Sequence, residues 1–112
     1  MPNVSQNVRF VGGYSAVTAG TTQTQAGATA VTGAVNYVTT GNASDGVVLP
    51  AGYALFDALV ICNSSAVALN VYPPSGGKIN NGTADAAKAL AANMSGLYVS
   101  LGSGNWAAVL SA

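Results

Sequence analysis

A chain of 112 residues has the length of one domain, and folding at that size buries roughly 60–70% of the surface the unfolded chain exposes, enough for a single core. Half of its residues count as hydrophobic, yet 21 are Ala and a further 14 positions are Gly, so the usable apolar bulk rests on Val, Leu, Ile and a few aromatics. Three cations, Arg9, Lys78 and Lys88, face three anions, Asp45, Asp57 and Asp85. That argues against a nucleic-acid partner, which needs several Lys or Arg to displace counterions from phosphates.

The opening MPNVSQNVRF lacks the basic start and apolar core of a signal peptide, and no later run approaches the ~18 apolar residues that cross a bilayer. The sequence thus predicts a soluble, unprocessed chain with no membrane partner. Residues 1–30 are rich in Gly, Thr, Gln and Ala (GTTQTQAGATA), with one apolar cluster, VRFVGGY, ahead of that stretch. This composition cannot hold a core alone and predicts an extended N-terminal arm or irregular segment whose conformation depends on its neighbours. Val8, Arg9, Phe10, Val11 and Tyr14 are its candidate docking residues, toward a larger partner or a neighbouring subunit. The plainer alternative is a first strand packed on its own domain.

From residue 31 to residue 112 the pattern changes to short apolar runs bounded by turn residues: AVNYVTT, GVVLPAG, YALFDALVIC, ALNVY, GLYVSL and NWAAVL. Such runs, rich in Val, Tyr and Leu, predict an all-β module, a compact antiparallel β-sandwich or barrel-like fold. In YALFDALVIC a period of two puts Tyr53, Leu55, Asp57, Leu59 and Ile61 on one face and Ala54, Phe56, Ala58, Val60 and Cys62 on the other. Both faces are apolar, so the strand is either central and covered on both sides or lies at a subunit interface, for which the first face is the candidate. Asp57, if buried, needs hydrogen-bond partners or a cation such as Arg9 or Lys88; a bulge turning it to solvent is the alternative. Cys62, the lone cysteine, reads as a small buried hydrophobe without a disulfide partner.

After NVY, Pro73-Pro74 and Gly76-Gly77 end a strand, because proline cannot donate to a ladder and glycine relieves positive-φ positions. Asn81-Gly82 is a second turn signal, of type I′. TADAAKALAAN, Thr83 to Asn93, is contested. Its Ala content and the capping Thr83 favour a short helix, whereas Ala-rich segments also adapt to strands when neighbours demand it.

Chemistry is sparse. Without histidine or glutamate, acid–base work at neutral pH falls to three Asp, two Lys and five Tyr at no recognisable spacing, and no imidazole is present to activate a nucleophile. The aspartates lie in separate segments, which predicts no metal site and no cofactor, and LGSGNW lacks the third glycine of a dinucleotide loop. The sequence therefore predicts a protein that is not an enzyme. The five Asn-x-Ser/Thr triplets follow from a surface rich in Asn, Ser and Thr.

The succession VTTGNASDGVVLPAG, VICNSSAVALNVYPPSGGKINNGTADAAKAL and LYVSLGSGNWAAVLSA, covering Val31 to Ala112, resembles small tailed-phage virion proteins and virion-protein modules. Two features depart from that pattern: Asp57 inside an apolar strand, and AAKALAANMS without a glycine before the next strand. The resemblance implies an all-β, non-catalytic, oligomeric module on a virion, most like a head decoration (cement) protein, commonly a homotrimer, made in the host cytoplasm. Its implied partners are the major capsid protein and further copies of itself. A receptor- or carbohydrate-binding module of a head or tail fibre is the alternative, supported by the aromatics.

Overall fold

A computed structural model describes residues 8–111 of the chain. It is all-β: β1 (Arg9–Phe10), β2 (Tyr14–Thr18), β3 (Thr29–Ala30), β4 (Val35–Thr39), β5 (Gly46–Val48), β6 (Asp57–Asn63), β7 (Leu69–Tyr72), β8 (Lys88–Leu90), β9 (Ser95–Gly102) and β10 (Asn105–Leu110), with no helix among the described residues. Two sheets form. One runs β10-β9-β6-β4-β2, with β1 also paired to β6, and the other runs β3-β5-β7-β8.

The antiparallel arrangement expected from the sequence is corrected. Strands β2, β4 and β6 are parallel neighbours in one sheet, β3, β5 and β7 are parallel neighbours in the other, and β1 is parallel to β6. Consecutive strands from β2 to β7 alternate between the sheets, so the chain winds as a flattened coil of three turns. Parallel neighbours require a crossover connection, and here the strand in the opposite sheet is that crossover. Only the last part is antiparallel: β8 returns beside β7, and the β9–β10 pair closes the first sheet against β6.

The core lies between the sheets, where Val17, Val38, Leu59, Ile61, Tyr98 and Trp106 of the first meet Val47, Leu69, Val71 and Leu90 of the second. Gly96 stands opposite Ile61, because a Cβ there would come within 2.7 Å of the Tyr98 ring and 2.8 Å of Leu110.

Residues 1–7 of the expected arm lie outside the described residues. From Arg9 onward three stretches of the remainder are paired, β1 with β6, β2 with β4 and β3 with β5, while residues 21–28 are turns outside any strand. Strand β7 stops before Pro73, and Gly76 (φ 82°) and the Gly77 N–H to Pro74 carbonyl bond (2.8 Å) close the turn. The next turn is centred one residue earlier than the Asn-Gly pair suggests, with Asn80 and Asn81 both at positive φ and the Gly82 N–H donating to the Ile79 carbonyl. Thr83 to Asn93 is not a helix. Asp85 sits at φ 66°, its carboxylate accepting from the Gly76 N–H (2.6 Å) and the Gln25 amide (3.0 Å), and Leu90 goes into the core as part of β8. The long-range bonds and the burial outweigh the local preference.

Candidate interaction surface

Strand β6 divides the candidate site. Its odd positions face inward: Leu59 and Ile61 have no solvent exposure and belong to the core. Of the subunit interface expected from Tyr53, Leu55, Asp57, Leu59 and Ile61, the part played by Leu59 and Ile61 is corrected, since both spend their apolar surface inside their own chain. Tyr53 is half-buried with its ring 5.6 Å from that of Trp106, and Leu55 alone of the set is an exposed apolar residue.

Asp57 is buried and paired. Its Oδ1 accepts from Arg9 Nη2 at 2.8 Å and Nε at 3.2 Å, and its Oδ2 accepts from the Ala54 N–H at 3.0 Å. The Arg9 hydrogen bonds lead in holding this carboxyl below the usual range, aided by the Ala54 N–H and the Arg9 charge against the opposing effect of desolvation. Phe56, the residue before it, takes φ 73°, a conformation that bulky side chains rarely adopt. The turn is held by Phe56 N–H to Ser100 carbonyl (2.8 Å) and Arg9 N–H to Phe56 carbonyl (2.9 Å), so the start of β6 is tied to both β1 and β9.

The even positions of β6 belong to the opposite face, where strand register assembles three rows. One row is Tyr14, Val35, Val60, Leu97 and Val109; the next is Ala16, Tyr37, Cys62 and Ser95; the third is Phe10, Ala58, Val99 and Ala107. Tyr14 is 70% exposed, Val109 68%, Phe10 52% and Tyr37 49%. No formally charged side chain holds a register position in these rows. Cys62 is half-buried on this face rather than in the core.

Of the expected docking residues, Phe10 and Tyr14 join this face, Val8 and Arg9 are exposed at its N-terminal rim, and Val11 is half-buried. Sequence reasoning missed Val35, Tyr37, Leu97, Val99 and Val109. The alternation in VNYVT, apolar on both parities with one Asn, held the signal for Val35 and Tyr37.

Among the described residues no three His, Cys, Asp or Glu approach one another closely enough to share a metal ion. An open depression of about 420 Å³ is lined by Tyr53, Gly52, Pro74, Ser75, Ser103 and Gly104, which places one phenol and no other titratable side chain in it. Comparison with protein-family models, curated proteins and solved structures gave no match.

Proposed function

We propose that the chain is a structural virion protein that decorates and stabilises a phage capsid, acting as a homo-oligomer on the outer surface of the shell. The observation that carries this reading is the outer face of the six-stranded sheet, whose register rows are apolar and carry no formally charged side chain. Contiguous apolar surface of this extent marks association with another macromolecule. The succession of motifs from Val31 to Ala112 supplies the virion context. Val8, Arg9 and Val11 at the rim are the proposed capsid contacts, with Phe10 and Tyr14 shared with a neighbouring subunit.

The exposed rings of Phe10, Tyr14 and Tyr37 on one face favour a second reading, a glycan-binding fibre module, since ring faces stack on apolar sugar faces. Adding the purified chain to undecorated heads separates the two. Saturable binding at hundreds of copies per head, with a higher temperature for head disruption, supports decoration. No binding to heads, or particles that carry only a few dozen copies on a stained gel, overturns it.

A further inference from the structure

We infer that the outer face of the six-stranded sheet is a two-fold self-interface in which a second copy of this chain packs sheet on sheet, with the symmetry axis running along β6. This deepens the homo-oligomer part of the proposed function and rests on that part alone.

Three properties of the face point to a second copy as the occupant. The first is extent: with strands about 4.8 Å apart and same-face rows about 6.7 Å apart, the thirteen register positions of the three rows cover about 420 Å². The relief of the side chains raises the accessible area toward the roughly 800 Å² per partner that a stable interface buries. The second is charge. A partner bound through electrostatic complementarity would be matched by charged groups on the face, whose rows hold none: Arg9 stands at the rim, hydrogen-bonded to Asp57, and Lys78, Lys88, Asp45 and Asp85 lie elsewhere.

The third property is self-complementarity, which a two-fold interface demands. The β2–β4 half carries the rings of Tyr14 and Tyr37, and the β9–β10 half carries the shorter Leu97, Val99 and Val109. Between them β6 offers the small side chains of Val60 and Cys62, with Ala58 already covered within its own chain. An axis along β6 lays β2 of one copy over β10 of the other and β4 over β9, so that long side chains meet short ones and the midlines approach closely. An axis across the strands would instead set ring against ring at one edge and leave a gap at the other.

The axis along β6 has a consequence that the single cysteine reports. Cys62 lies on the midline and on this face, so the two copies present Cys62 to Cys62 across sheets spaced about 10 Å apart, with both thiols pointing into the gap. A short bis-maleimide then joins the copies through a residue that the chain already possesses.

Sedimentation equilibrium of the purified full-length chain, free of heads, should give a dimer at micromolar concentration. Val109→Asp, at a position 68% exposed in the single chain, should keep the circular dichroism of the wild type and sediment as a monomer, because the dimer would bury an unpaired carboxylate. Leu55→Asp, at a position 52% exposed but off this face, should remain a dimer. Cross-linking should yield a covalent dimer from the wild type, and none from Cys62→Ser or Val109→Asp. A monomeric wild type, a trimer, or dissociation by Leu55→Asp with Val109→Asp still dimeric overturns the interface; a dimer that the bis-maleimide never joins overturns the axis. A monomer that still binds heads defeats this inference and spares decoration, and a cross-linked dimer that never binds heads does the reverse.

Discussion

The two faces of the six-stranded sheet are both apolar, yet they are built differently. The inner face, with Val17, Val38, Leu59, Ile61 and Tyr98, also contains buried polar groups whose partners are fixed. Asn36 donates to the Gly33 and Val60 carbonyls and accepts from the Gly33 N–H; Asn63 donates to the carbonyls of Val67, Leu90 and Ala91 and accepts from the Thr40 hydroxyl. These bonds pin register and bring loops to the sheet. The rows of the outer face hold no buried Asn or Asp, and its larger side chains reach solvent. The inner face thus combines apolar packing with satisfied polar groups, and the proposed self-interface is apolar surface without them.

The largest effect that would test this contrast is Ile61→Ala, expected to lower unfolding free energy by about 2–5 kcal/mol through lost transfer energy and a residual cavity. Val109→Ala on the outer face should stay within about 0.5 kcal/mol at protein concentrations low enough to keep the chain dissociated. Denaturant titration of both variants checks the pair, and equal losses would erase the distinction between the faces. Next in size is Asn63→Ala, which leaves the Val67, Leu90 and Ala91 carbonyls and the Thr40 hydroxyl short of a partner; an expected loss of about 1–3 kcal/mol reflects their burial without one. A neutral result would mean that the hydrogen bonds do not define the inner face.

The strands were legible because each apolar run ends at residues that cannot continue a ladder: β7 at Pro73, and β9 at the Gly102–Gly104 turn. The pairing of Asp57 with Arg9 was legible only as one of two readings, the other being a bulge that turns the carboxylate to solvent; the Arg9 hydrogen bonds and the burial decide it. Winding was not legible. Turn residues mark where a strand stops and are silent about whether the chain folds back beside it or crosses to another sheet, and the register partners Val17, Val38 and Asn63 recur at unequal spacing without a repeated motif. For the same reason the period of two in β6 gave both faces without saying which was inside; Tyr98 and Trp106, distant in sequence, decide it by packing on Leu59 and Ile61. Local propensity misled at Thr83–Asn93, where Asp85 is held by Gly76 and Gln25.

A smaller effect sharpens the role of the β1–β6 junction. The Arg9 hydrogen bonds depress Asp57, and the Gln25 amide, then the Gly76 N–H, depress Asp85. A carboxyl whose folded value is depressed stabilises the fold above its ordinary value, about 3.9 for Asp, and that contribution disappears as pH falls through the lower folded value. Melting temperature should therefore hold from neutral pH to about 5 and decline below about 4. Because the Arg9 side chain is 72% exposed, the pair is partly screened, and Asp57→Asn should flatten only part of the decline. An acid profile unchanged in both Asp57→Asn and Asp85→Asn would remove these pairs from the account.

The smallest effect concerns the one place where the inner face breaks its own rule. The Tyr98 hydroxyl and the Trp106 indole N–H are buried without a hydrogen-bond partner among the described residues, so for these two rings the inner face supplies packing and no polar anchor. Burial raises the Tyr98 phenol above its usual value, and burial followed by the Asp57 charge raises Tyr53. A group whose folded value is raised contributes stability below its ordinary value, about 10 for tyrosine, and loses it as the pH climbs toward the folded value; the chain should weaken in alkali before Tyr98 ionises. Removing an unpartnered hydroxyl while keeping the ring takes away a desolvation cost and no bond. Tyr98→Phe should then leave unfolding free energy unchanged or raise it by up to about 1 kcal/mol, and reduce the alkaline loss. A destabilisation beyond that size would show that the hydroxyl has a partner in solution, in which case the inner face anchors Tyr98 as it anchors Asn36 and Asn63.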